Sequence, residues 1–309
     1  MKMKENTAPE FATGDASAIK KRKSKLNRLH TSDYVFIGIC VVVIIICLLP
    51  LVNLLARSLS GSNYLIRNEI SLWPKGFNLD AYVGVFKESE YRWAFVWTVF
   101  LTIVGTLLSL TMTTLCAYPL IFDKLKGRGV MNIMITITMF FNAGTMPNYL
   151  LFKQLHMLDT PYVLLVPFCL SVFNMIIMRS FFYGIPDSLR ESAELDGASF
   201  FQILTKIYLP LSKPVIATLA LYYAVGRWNG YSDALMFAHN NKKNWPLQLY
   251  LWNMLQGQSN IDNPGEYKVG YAEQTKAAVV MFSTIPILCI YPWLQKYFIH
   301  GVTVGAVKE

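Results

Sequence analysis

The chain has 309 residues, of which 54% are hydrophobic and only 15% charged, and its apolar residues gather in runs longer and more uniform than a soluble core uses. Its net charge of +9 calls for no nucleic-acid partner, because much of it sits in one basic N-terminal tail. All five cysteines fall inside apolar runs, which argues against disulfides and metal sites; the chain also lacks a Gly-x-x-x-x-Gly-Lys-Ser/Thr phosphate loop and a His-Glu-x-x-His pair.

Residues 1–30 read as a disordered cytoplasmic tail whose Lys20, Lys21, Arg22, Lys23, Lys25 and Arg28 rest on anionic membrane lipid. The run 34–56 is expected to be a retained anchor, since its apolar stretch exceeds a signal-peptide core and no small-x-small site follows it. Further runs fall at 93–117, 130–152, 161–185, 214–237 and 276–298, each at least the ~20 residues that cross about 30 Å of hydrocarbon. The expected architecture is therefore an all-α, polytopic membrane protein with six transmembrane helices within 31–299. Asn142, Gly144 and Pro147 interrupt the third run, and Gly226, Arg227, Asn229 and Gly230 the fifth. Such interruptions are tolerated at membrane depth where they face protein or a watery cavity. Lys124, Lys126 and Arg128 in the 118–129 loop, with the basic tail, belong in the cytoplasm of a cell membrane. Alternation then places both termini and the loop 186–213 inside, and 57–92, 153–160 and 238–275 outside.

The loop 186–213 holds the segment ESAELDGASFFQILTKIYLP at 191–210. Pro186 stops the preceding span, Ser188 with Glu191 reads as a capping box, and Gly197 suits a chain reversal after about two helical turns. Phe200, Phe201, Ile203 and Leu204 are expected to give an apolar face to the next helix. The spacing Glu-Ser-Ala, three residues, Gly, nine residues, Ile-x-Leu-Pro resembles the "EAA" loop of ABC importer permeases. The resemblance runs from about Trp73 to the C-terminus and is nearest to the maltose-type sugar permeases, in the LplC/YtcP-like branch associated with oligosaccharides.

That resemblance implies a type I importer permease fold and a non-enzymatic subunit without cofactor. It implies as partners a second homologous permease, two cytoplasmic ABC ATPase subunits and an extracellular solute-binding protein. By the same resemblance Glu191, Ser192, Ala193, Asp196 and Gly197 are the residues coupling to the ATPases, and the tail 300–309 reaches between the ATPase subunits. The sequence departs from the family's habits at Trp97-Thr98 and at Asn142-Ala143-Gly144.

Sugar sites pair amides, carboxylates or arginine with aromatic rings. Tyr223, Arg227, Trp228 and Asn229 offer that mixture within the fifth run, with Asn142 and Asn174 as further candidates for the substrate path. For Arg227 two readings stand, a lining of the path and a structural pair with Asp233 or a partner's carboxylate. The outer loop 238–275, with Trp245, Tyr250, Trp252 and Tyr267, is a surface for the binding protein. A different class also fits the runs alone: a self-contained secondary transporter or channel, in which intramembrane charges carry a coupling ion.

Overall fold

The structure, a computed structural model, describes residues 31–256 and 269–306, with side chains over 33–256 and 271–289. The tail 1–30, the stretch 257–268 of the expected outer loop, with Tyr267, and the last residues 307–309 lie outside the described residues. The described chain is helical, with a single isolated bridge between Ser60 and Phe77 in place of any sheet. The expectation of an all-α protein is met.

The chain divides between Leu54 and Leu55 into two units. Helix α1 (Thr31–Ser58), whose residues up to Leu54 fall in the first unit and whose last four belong to the second, contains Pro50 and carries an exposed apolar surface from Val35 to Val52, as lipid exposure requires. In the second, α2 (Ser62–Ile66) and α3 (Asp80–Lys87) pack against the long α14 (Val269–Ala306). The clasp is polar: buried Gln274 donates to the carbonyls of Ser58 and Asn78 at 3.4 and 3.3 Å, and Arg57 pairs with Glu273 at 3.4 Å. α14 continues through Gly301 and Gly305 to Ala306.

Helix α4 (Ser89–Ala117) is the spine, packed along α11 (Lys213–Asn229). Its buried positions Thr98, Leu101, Gly105, Ser109 and Thr113 recur every three or four residues, so one stripe of mostly small side chains lets the two backbones approach closely.

The other apolar runs are broken. α5 (Arg128–Phe140) and α6 (Thr145–Gln154) meet at 113°; Gly144 takes φ +87° and its N–H donates to the Asn142 side-chain oxygen at 2.9 Å, a turn stabilised by its own asparagine. α7 (Pro161–Leu165) stops two residues before Pro167, which lacks an N–H and whose ring obstructs the carbonyl four residues back. α8 (Val172–Tyr183) restarts with Ser171 as its cap. Next come α9 (Asp187–Leu195) and α10 (Phe200–Leu211), the latter bent by 83° against α11. Short α12 (Ser232–Phe237) and α13 (Leu247–Leu255) complete the order. Among the described residues two helices, Asp33–Ser58 and Ser89–Ile121, are long and apolar enough to cross a bilayer unaided, and up to four spans result if each bent pair counts as one.

Candidate functional site

The 186–213 loop forms a short helix closed at both ends by defined turns. Pro186 occupies the cap position of α9 with no side-chain capping bond, so the expected Ser188–Glu191 box does not form. Ser188 falls inside the first turn, because Pro186 with its fixed φ ends the preceding segment and lets Asp187 enter the helix directly. The capping box sits one helix later: Ser199 accepts from the Gln202 N–H at 3.3 Å while Gln202 accepts from the Ser199 N–H at 2.8 Å.

Between these two helices the chain reverses at Gly197, with φ +78°. Its N–H donates to Glu194 at 3.1 Å and the Ala198 N–H to Ala193 at 2.9 Å, the paired bonds of a Schellman turn. Ala193 and Ala198, which flank the turn, both pack against the neighbouring buried cluster. A Cβ at Gly197 would meet nothing within 4 Å.

This turn is anchored to the helix bundle. Ile203, Leu204 and Tyr208 are buried with Tyr118, Met178 and Phe182, while Tyr118 donates to the Phe200 carbonyl at 3.0 Å. Phe200 and Phe201 remain exposed, so the expected apolar face narrows to Ile203 and Leu204; the capping turn at Ser199 fixes which residues of α10 face inward. Within α10, Leu209 donates five residues back to Leu204, and the widened turn accommodates Pro210. Burial raises the Tyr208 phenol above the ordinary tyrosine value, with Arg190 pulling the other way; Tyr208 therefore stays neutral.

Arg190, absent from the sequence reading, organises the acidic face. Its guanidinium reaches Asp187 at 3.1 Å, Glu194 at 3.7 Å and Glu191 at 3.8 Å, and lies 5.4 Å from the Phe122 ring centroid. The i, i+3 and i, i+4 spacing of these charges was its signal. Glu191, Ser192, Asp196 and Gly197 are exposed and Ala193 is half-buried; Ser192 returns its hydroxyl to the Ser188 carbonyl at 2.9 Å. Leu195 is 89% exposed at the end of this polar helix, an apolar side chain presented to the surroundings.

The substrate-path candidates separate into engaged and open side chains. Arg227 donates to the carbonyl of Leu164, and to those of Phe168 and Leu165 at 2.6 and 3.3 Å. Leu164 and Leu165 are the last residues of α7 and Phe168 follows Pro167, and a cation suits carbonyls left at a helix C-terminus. Gly105 makes room for it, since a Cβ there would lie 3.1 Å from the Arg227 Nε. Tyr223 is buried; its hydroxyl meets Thr113 Oγ1 at 2.6 Å and accepts from the Ser171 N–H at 3.2 Å. Trp228 is buried, donates to the Ser283 carbonyl at 3.2 Å and sits edge-on to Phe95. Asn174 is buried in the first turn of α8, whereas Asn142 and Asn229 are exposed. Trp97 donates to the Asn244 carbonyl at 3.0 Å, and Thr98 accepts from the Leu247 N–H at 2.7 Å. Trp97 and Thr98 thus join α4 to Asn244 and to the first residue of α13.

Residues 89–304 match the family described as "Binding-protein-dependent transport system inner membrane component". The chain belongs to this family. Protein LplC of Bacillus subtilis (strain 168) is 38% identical over 266 residues, covering 85% of this chain and 90% of that protein. The polygalacturonan/rhamnogalacturonan transport system permease protein YtcP of the same organism is 36% identical over 286 residues, covering 91% and 99%. Among solved structures, one of a bacterial ABC transporter involved in the import of the acidic polysaccharide alginate contains a chain 32% identical to this one. It superposes with a TM-score of 0.79 over 88% of this chain and 99% of that one. The protein is accordingly a membrane-embedded ABC importer permease subunit and not an enzyme: it works with a second permease, a solute-binding protein and separate ATPase subunits.

Proposed function

We propose that this subunit forms half of the translocation path of an oligosaccharide importer and takes its motion from the ATPases through the loop 186–213. The observation that carries this reading is the α9–Gly197 turn: an exposed helix end, rigidly closed, bearing the fully presented Leu195 and an acidic face ordered by Arg190. Glu191, Ser192, Ala193, Asp196 and Gly197 are the contact residues, and burial of Ile203, Leu204 and Tyr208 beneath them transmits displacement to α4 and α8. Both termini and this loop are cytoplasmic, and six crossings at 34–56, 93–117, 130–152, 161–185, 214–237 and 276–298 connect them. Asn142 and Asn229 line the path, while Arg227, Tyr223, Trp228 and Asn174 hold the shape of its wall. The relatives named for carbohydrate transport support the solute class.

Co-expression with the ATPase and partner permease tests this. The complex should purify intact and take up oligosaccharide into proteoliposomes only with ATP and the solute-binding protein. Uptake by this chain alone, driven by an ion gradient, would overturn the reading.

A further inference from the structure

Between α2 and α3 the chain forms a pinned loop whose most exposed side chains are apolar. Its base is a short antiparallel pairing around the bridge between Ser60 and Phe77. The Gly61 N–H donates to the Lys75 carbonyl at 3.1 Å and the Asn78 N–H to the Leu59 carbonyl at 2.9 Å. Fully buried Ser60 ties this base to the end of α1: its hydroxyl donates to the Ala56 carbonyl at 2.6 Å and accepts from the Lys75 N–H at 3.1 Å. Gly76 takes φ +62°, and a Cβ there would come within 2.7 Å of the Tyr64 ring, so only bare backbone leaves room for that ring. Gln274 of α14 bonds to the carbonyls of Ser58 and Asn78 on the two strands of the base.

Beyond this base Trp73 is 82% exposed and Phe77 68%, with Ile66, Leu72 and Leu79 also exposed. The charges cancel. Glu69 lies 3.8 Å from Lys75 and 3.9 Å from Arg67, and Asp80 accepts from the Asn78 amide at 2.8 Å, so two bases are balanced by two carboxylates. A loop pinned by these bonds has little freedom to turn its rings away from water, and an apolar patch of this kind marks a contact with another phase or molecule. The bilayer fits best. The apolar run 34–56 ends at the residue to which Ser60 is bonded, and the end of such a run lies at the membrane–water interface. Tryptophan beside lysine and arginine is the composition of that level, and a neutral charge balance makes zwitterionic phospholipid sufficient.

We propose that residues 64–79 are a membrane-interface anchor. Leu72, Trp73 and Phe77 enter the headgroup zone of the leaflet where α1 leaves the bilayer, and Ser60 and Gln274 pass that fixed point to α1 and α14. The segment precedes residues 89–304, which match the family, and the anchor serves whatever solute is carried.

The test uses the purified permease–ATPase complex in phosphatidylcholine nanodiscs. The tryptophan emission lost on Trp73→Phe is that of Trp73, and the exposure of this side chain means that the variant folds. Phosphatidylcholine brominated near the headgroup end of its acyl chains should quench more than about half of that emission, and solute-binding protein added in excess should leave it unchanged. Emission untouched by the brominated lipid would overturn the proposal, whether iodide in the water quenches it, which would place the tip in solvent, or does not, which would bury it against the partner permease. A shift of the Trp73 emission by the solute-binding protein would overturn it as well and make the loop a protein contact.

Discussion

The guanidinium of Arg227 sits where α7 ends and the carbonyls of Leu164, Leu165 and Phe168 have no intrahelical donors. In a bilayer an unpaired carbonyl has no water to turn to, so the cation and the break stabilise one another. Replacing Arg227 by Met keeps the stem and removes three donated bonds, leaving acceptors unsatisfied at a cost of about 1–3 kcal/mol each. Arg227→Met should therefore insert normally yet melt several degrees lower in detergent and take up less solute, with Arg227→Lys intermediate. Thermal unfolding with both variants checks this; a wild-type melting temperature for Arg227→Met would show that the break is held by something else.

The turn between α9 and α10 combines a backbone demand with an open surface. Gly197 needs its positive φ, yet a Cβ there would meet nothing within 4 Å among the described residues, which leaves room on this face for the docking partner proposed above. Gly197→Asn, whose side chain tolerates this conformation, should fold and assemble but lower uptake; Gly197→Asp should do so more strongly by adding charge to an already acidic face. Equal uptake per ATP in wild type and both variants would remove the turn from coupling. This turn was legible in the sequence because glycine at a helix end has few other uses, and the motif spacing placed it. The capping box was misplaced because Ser188–Glu191 and Ser199–Gln202 both satisfy the pattern, and only the backbone path after Pro186 decides between them. Arg227 was legible as important but its partners were not. Its acceptors are backbone oxygens 59 to 63 positions away, and the mark they leave in the sequence is Pro167.

In the proposed mechanism the buried cluster under the α9–α10 turn and the helix breaks at Gly144 and Pro167 must move together. α4 supplies the length, but a helix alone transmits nothing to its neighbours unless they are fastened to it. Tyr223 is such a fastening: from α11 its hydroxyl reaches Thr113 on α4 and the N–H of Ser171, the cap of α8, so three elements meet at one oxygen. Tyr223→Phe keeps the ring in its buried place and deletes that oxygen, leaving the Ser171 N–H and the Thr113 hydroxyl short of a partner, for about 1–3 kcal/mol. Assembly with the ATPases should survive, because the docking turn is untouched. What should fall is the amount of solute imported per ATP hydrolysed, since α8 and α11 can then shift independently of α4. Simultaneous uptake and phosphate-release measurements in proteoliposomes give this ratio, and an unchanged ratio would mean that the packing of α4 on α11 suffices to carry the motion.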